Sequence, residues 1–310
     1  MEIAIMIEGQ EGLTWPRWQR LVQAVEEFGF DGLHRSDHFT NAGPSDEASL
    51  PLWPALTWLA DHSERITFGP LVTPTSFRHP VHTARMAAAV DDLSNGRLVL
   101  GVGAGWNERE HHNFGFPLLD TAERFLRFEE SLEVITRLLR SDEPVSFSGQ
   151  YYELHNAILL PRPQRPGGPP ILIGGNGEKY TLPLAARFAD EWNAVFIPIS
   201  KVAHLNQRLD EFLDEQGRAP ESVKRSVMNL VAYSRDPEEV EAKIRRYSHG
   251  DLNAAEARLH GILAGGSDEI VYQLGLLAEA GVQRVMLQWR DQEDLQSLEH
   301  MATDVLPQVH

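Results

Sequence analysis

The chain has 310 residues, no cysteine, and 28 Lys+Arg against 45 Asp+Glu, which gives a net charge of −17. That acidic balance opposes phosphate backbones and anionic headgroups, whose binding needs clustered Lys and Arg, so neither nucleic acid nor a membrane surface is expected as a partner. Without cysteine there is no disulfide, Cys-zinc site or thiol nucleophile, and chemistry falls to His, Asp, Glu or a cofactor.

At about 150 residues per domain the length allows two domains, but α/β barrels of this size fold as one. The opening run Met1 to Glu8 has no basic n-region and too short an apolar stretch for a signal peptide. No later segment reaches the roughly 18 uninterrupted apolar residues of a membrane span. The expectation is a cytoplasmic protein.

Short Ile/Val/Leu-rich runs alternate with segments of helical period. Glu2 to Ile7 reads as a strand, and the apolar spacing of Trp15, Trp18, Leu21, Val22, Val25 and Phe28 as a helix. Strands follow at Asp31 to Arg35, Ile66 to Val72 and Arg97 to Val102, with helices over Pro54 to His62 and Val81 to Leu93 between them. A long helix fits Thr121 to Leu139, where Phe125, Phe128, Leu132, Ile135 and Leu139 share a face. The rhythm then breaks at 141–170, where Val145 to Leu154 resembles a hairpin and the proline-rich run ending at Pro170 suits neither helix nor central strand. It resumes with strands at Ile171 to Ile173, Glu191 to Phe196, Ser226 to Ala232 and Gln283 to Gln288. The intervening helices include Tyr180 to Ala189, Val202 to Glu215 and Asp268 to Glu279.

Eight strand-helix units close a (β/α)8 TIM barrel, here one domain over 1–310 with an excursion at about 141–170 and a possible second at about 249–266. Gly29 and Gly281 each end a helix and lead at once into a strand, as a C-cap glycine allows. The rival, a doubly wound dinucleotide-binding sheet, needs G-x-G-x-x-G. The run Gly101-Val-Gly103-Ala-Gly105 breaks that spacing and lies on the fourth strand.

A barrel carries its site at the C-terminal ends of the strands. Asp37 and His38 follow the second strand, where a carboxylate beside an imidazole can tune proton transfer, or can be a capping Asp and a surface His. Gly69-Pro70 lies inside the third strand, where proline demands a bulge that presses on a bound ring or a simple strained strand end. Gly101 to Gly105, followed by Asn107 and Glu108, offers backbone that a flat ligand can approach, or tight strand packing. Gly174-Gly175-Asn176-Gly177-Glu178-Lys179 runs into a helix and reads as a phosphate site, with Lys179 placed where a first-turn cation needs an anion; a solvated loop with Lys179 turned to Glu178 is the alternative. Arg290, just past the last strand, is a second candidate for that anion. The pairs His34 and His38, His79 and His82, and His111 and His112 have no zinc-site spacing, so no metal is expected.

Taken together these segments resemble the luciferase-like monooxygenase superfamily, bacterial luciferase-like in fold, and within it the class dependent on the deazaflavin coenzyme F-420. The carriers are Gly29-Phe30-Asp31 to Ser36-Asp37-His38-Phe39, His79-Pro80 through Ser94-Asn95-Gly96-Arg97 to Trp106, and Ile173 to Lys179 through Ala189 to Asn193. The resemblance implies that Asp37 and His38 flank the reactive ring, with His38 as acid or base. It places a non-prolyl cis peptide near Pro70-Leu71, or at Gly69-Pro70 because of the proline. Thr73 would contact the cofactor, Asn107 would bond its ring, and Gly174, Gly175 and Gly177 would hold its phosphate. The acidic balance is awkward for a coenzyme with an anionic tail, but local charge decides, and Arg78, Lys179 and Arg290 are expected to make a basic mouth on an acidic body.

The implied activity is hydride transfer between the coenzyme and a small organic substrate. With FMN the same fold would be a monooxygenase served by a flavin reductase, and a non-catalytic flavin-binding barrel is the third reading. The family resemblance also suggests a homodimer.

Overall fold

The computed structural model describes residues 1–248, 250 and 252–309. Its parallel strands are β1 (Glu2–Ile7), β2 (Gly32–Arg35), β3 (Thr67–Pro70), β4 (Thr73–Pro74) and β5 (Leu100–Gly103). After the antiparallel hairpin β6 (Val145–Ser148) and β7 (Glu153–Ala157) come β8 (Ile171–Gly174), β9 (Glu191–Val195), β10 (Lys224–Tyr233), β11 (Leu263–Gly265) and β12 (Arg284–Gln288). The sheet order is β3-β2-β1-β12-β10-β9-β8-β5-β4. Because β3 and β4 are two pieces of one strand, this path is a ring, a (β/α)8 TIM barrel of the expected kind. Within the region 249–266, of which His249 and Asp251 lie outside the described residues, β11 runs parallel to the end of β10.

The helices in chain order begin with α1 (Trp15–Phe28), α2 (Leu52–His62), α3 (Pro80–Leu93), α4 (Glu108–Phe114), α5 (Thr121–Arg140), α6 (Thr181–Phe188) and α7 (Ile199–Glu215), and further helices follow toward Val309. Alternation along the strands separates two cores. Ile3, Ile5 and Ile7 face outward into the large cluster shared with the helices, while Ala4 and Met6 point into the barrel with Leu71, Val99, Leu172, Met228 and Met286. Each buried aliphatic side chain contributes about 1.5–3 kcal/mol relative to exposure. Gly29 and Gly281 hold φ of 93° and 91°, the left-handed conformation the junctions call for.

The floor of the barrel is ionic. Arg284 donates to Glu191 at 2.9 Å and to Glu2 at 2.6 Å, and Lys224 also reaches Glu2. Burial raises the Glu191 carboxyl above its ordinary pKa against the pull of Arg284. Higher up, His34 pairs in register with Met6 and Gly69 and is fully buried, with both ring nitrogens lacking a partner among the described residues. Burial, followed by the charges of Arg284 and Lys224, pushes its pKa well below the usual value.

Two expectations need correction at the third strand. The continuous strand Ile66 to Val72 is broken between β3 and β4, and the cis peptide joins Leu71 to Val72, not Pro70 to Leu71 or Gly69 to Pro70. Pro70 stays within the ladder, paired in register with Arg35, and the amide of Leu71 continues it to the Arg35 carbonyl at 2.7 Å. The helix α4 was not anticipated, since seven residues are too few to show a periodic face.

Candidate active site

A cavity of about 460 Å³ opens at the C-terminal ends of the strands. Its apolar wall comes from Met6, Leu71, Val72, Val195 and Met228, and backbone is presented at Gly105, Gly174 and Gly175. Polar groups are few: Glu8 after β1, Ser36 and His38 after β2, and Asn193 on β9. Trp106 and Phe196 line it as well, each with about half or more of its surface exposed.

The glycines of β5 and β8 have a local cause. The broken third strand turns Val72 into the barrel, where a Cβ on Gly103 or Gly174 would meet its side chain at 2.6 or 3.2 Å, while a Cβ on Gly101 would run into the backbone carbonyl of Pro70. Of the two readings of Gly101 to Gly105, strand packing accounts for the first two glycines. Gly105 reaches the cavity and takes φ of 83°.

His38 is the polar centre. Its Nδ1 lies 2.8 Å from Oε1 of Glu110, a fully buried carboxylate on α4 whose Oε2 accepts the Phe39 amide at 3.0 Å. Among the described residues no hydrogen bond engages its Nε2, the remaining polar atom of a ring that lines the cavity. Burial works against the charged imidazole, but the hydrogen bond to Glu110 and the charges of Glu110, Glu8 and Asp37 outweigh it and hold its pKa above the ordinary value. Trp106 packs edge-on against the ring, centroids 5.7 Å apart.

Asp37 has a different role from its neighbour. It is buried away from the cavity wall, where it accepts from Thr73 Oγ1 at 2.7 Å and forms an ion pair with Arg78. Thr73 thereby faces Asp37, and together the three residues tie the loop after β2 to the broken third strand. Pro70 sits behind Leu71, outside the cavity lining. Asn107 is a buried N-cap of α4, accepting from the Glu110 amide at 3.4 Å, and so it orients the helix that carries Glu110.

The glycine-rich loop after β8 divides its work. Asn176 is latched to the backbone of Val195 in both directions, at 2.6 and 2.9 Å. Gly177 fits against Thr181, and Glu178 pairs with His204 and Arg208 on α7. Lys179 is exposed over the ring of Tyr180. The amides of Asn176, Gly177, Glu178 and Lys179 have no acceptor among the described residues, which leaves a run of donors leading into α6. Arg290 is held by Glu11 at 2.6 Å and lies over Tyr247, so of the three cations expected at the mouth, Arg78 and Arg290 are already neutralised.

Sequence reading singled out His38 but missed Glu8, Glu110, Asn193 and Phe196. The signal for Glu110 was its position three residues after a helix-capping Asn107.

A flat, largely apolar ring system with polar edges fits these walls. Asn193 lines the cavity with its Oδ1 buried and without a partner among the described residues, while its Nδ2 donates to Ser226 at 2.9 Å, an orphaned acceptor that a ligand donor would satisfy. The free amides after β8 suit an anionic tail.

F-420-dependent glucose-6-phosphate dehydrogenase of Intrasporangium calvum is 27% identical over 91% of this chain and 91% of that protein. A 4-hydroxyprotoasukamycin monooxygenase of Streptomyces nodosus subsp. asukaensis is 34% identical over 57% of this chain and 46% of that protein. The structure of an F-420-dependent secondary alcohol dehydrogenase in complex with an F-420–acetone adduct superposes with a TM-score of 0.85 over 100% of this chain and 99% of that one, at 19% identity, a likeness of fold. Residues 1–297 match the luciferase-like monooxygenase family, and the chain belongs to it.

Proposed function

We propose that this protein is an oxidoreductase that moves a hydride between coenzyme F-420 and a small organic substrate. The observation that carries the reading is the His38–Glu110 pair, which leaves one imidazole nitrogen free in a cavity otherwise built from apolar side chains and bare backbone. The coenzyme, when bound, supplies the carbon that donates or accepts hydride, chemistry that protein side chains do not provide.

The chain's own residues do the rest. Glu110 fixes the ring of His38 and favours its protonated form, so Nε2 can take a proton from a substrate hydroxyl or return it to a carbonyl oxygen. Met6, Leu71, Val72 and Met228 keep water from the cavity floor. Asn193 Oδ1 would accept from a ring N–H, and Gly174 and Gly175 would let the ring lie against the backbone. The free amides of Asn176 to Lys179, with the Lys179 ammonium, would hold the coenzyme's phosphate, as the resemblance implies for this loop.

The test is a titration of purified protein with oxidised F-420 and, separately, with FMN, following tryptophan quenching and cofactor fluorescence. Saturable binding of F-420 in preference to FMN is expected. Preference for FMN would replace the reading with a flavin monooxygenase requiring a reductase, and binding of neither would leave a barrel without redox chemistry.

A further inference from the structure

We infer that the substrate is an uncharged hydroxy or carbonyl compound with an apolar body, and that the site excludes phosphorylated sugars. The inference rests on the hydride-transfer reading and adds the substrate's charge and polarity.

Among the described residues no Lys or Arg side chain lines the cavity. The cations around it are committed elsewhere: Arg78 to Asp37, Arg109 to Asp46, and Arg290 to Glu11. Lys179 remains, on the loop assigned to the coenzyme's phosphate. Apart from the titratable imidazole of His38, the ionisable side chain facing the cavity is the carboxylate of Glu8. Glu8 is held there by Gln10 at 2.9 Å and Gln288 at 2.6 Å, both neutral donors that orient the carboxylate without cancelling it. Its charge is felt on two sides, helping to raise the pKa of His38 and, after burial itself, that of Glu11. A phosphate dianion entering this cavity would lose its water, meet no guanidinium or ammonium group among the lining residues, share the single titratable His38 with the reacting oxygen, and face the Glu8 carboxylate.

The mouth selects for an apolar body. Trp106 and Phe196 expose 60% and 48% of their surfaces and line the same cavity from the loops after β5 and β9. Phe196 takes φ of 49°, a left-handed backbone that a bulky residue adopts rarely, and its amide is held to the Met228 carbonyl at 2.9 Å. Such strain recurs at ligand-contacting positions. One polar feature of the substrate is specified, an oxygen at His38 Nε2. Oxidation removes a carbon-bound hydride to the coenzyme and the hydroxyl proton to Nε2, giving a ketone; reduction reverses both transfers.

The experiment uses two readouts. Tryptophan fluorescence of the protein alone measures binding of cyclohexanone and of glucose 6-phosphate. Absorbance of coenzyme-loaded protein measures turnover of cyclohexanol, 2-butanol and glucose 6-phosphate. The neutral compounds are expected to be preferred by roughly 100-fold or more in kcat/KM, and to bind the protein alone where the phosphate does not. In Glu8→Gln the preference should narrow through a lower KM for the anion, whereas a merely structural role for Glu8 would reduce both activities together. Equal or better turnover or binding of glucose 6-phosphate overturns the inference, as does turnover of neither class by coenzyme-loaded protein. Failure of F-420 to bind strikes instead at the hydride-transfer reading, and the fluorescence arm then still decides whether the cavity rejects the anion.

Discussion

Oε1 of Glu110 lies 2.8 Å from Nδ1 of His38, across 72 residues of chain, and the same carboxylate accepts the amide of the residue after the histidine. One buried acid therefore fixes both the ring and the loop that carries it. In Glu110→Gln the charge that raises the His38 pKa is lost. The acidic limb of kcat for alcohol oxidation, where protonation of His38 removes the proton acceptor, should shift to lower pH, and kcat should fall about 10- to 100-fold near neutrality because the ring is no longer fixed and its base is weaker. A pH–rate profile of the two proteins checks this; an unmoved midpoint would separate Glu110 from the titration of His38.

The Asp37–Thr73–Arg78 cluster makes a different kind of claim, about stability. Arg78→Met leaves the buried Asp37 carboxylate with Thr73 as its remaining side-chain partner, at a cost of about 3 kcal/mol. Denaturant unfolding should show that loss, and Asp37→Asn should reproduce much of it. If either variant kept full stability while losing activity, Asp37 would act on the reaction directly, as the sequence alone suggested.

His34 predicts acid sensitivity. Its native pKa is depressed, so below its unfolded value of about 6.5 the unfolded chain binds a proton that the folded barrel does not, and stability falls by at most about 1.4 kcal/mol per pH unit. Stability from this group is complete above that pH. Thermal melts of His34→Leu between pH 7 and 5 should show a shallower decline than the parent; parallel declines would acquit the histidine.

Val72 and Gly103 offer a coupled pair. Gly103→Ala places a methyl 2.6 Å from Val72 Cγ2 and should destabilise by about 1–3 kcal/mol, whereas the double variant Val72→Ala, Gly103→Ala should recover part of that loss. Strict additivity would show that Gly103 is required for another reason.

The barrel was legible because its signals are local. Ile3, Ile5 and Ile7 alternate with Ala4 and Met6, and Gly29 and Gly281 punctuate helix and strand, so eight units could be counted without knowing what touches what. The site was legible only in part. His38 stood out as an imidazole after a strand, but its partner Glu110 lies on a seven-residue helix with no periodic face. Asp37 looked equivalent to His38 because adjacent residues leave a loop in different directions, and a one-dimensional pattern does not record which enters the cavity. Asn176 was legible as a loop residue, yet its bonds to Val195 depend on how β8 and β9 lie side by side.

The ring of Phe196 stands on a loop that, among the described residues, shares no hydrogen bond with His38, Glu110 or the Asp37 cluster. The Phe196 side of the entrance is therefore built separately from the part that handles the substrate's proton, whereas the Trp106 side packs against His38 itself. Phe196→Gly, which suits the left-handed backbone, should widen the entrance and leave the fold at least as stable. A lineage carrying this barrel could thus exchange one substrate for another at that single position while its acid–base chemistry passed unchanged to the descendants.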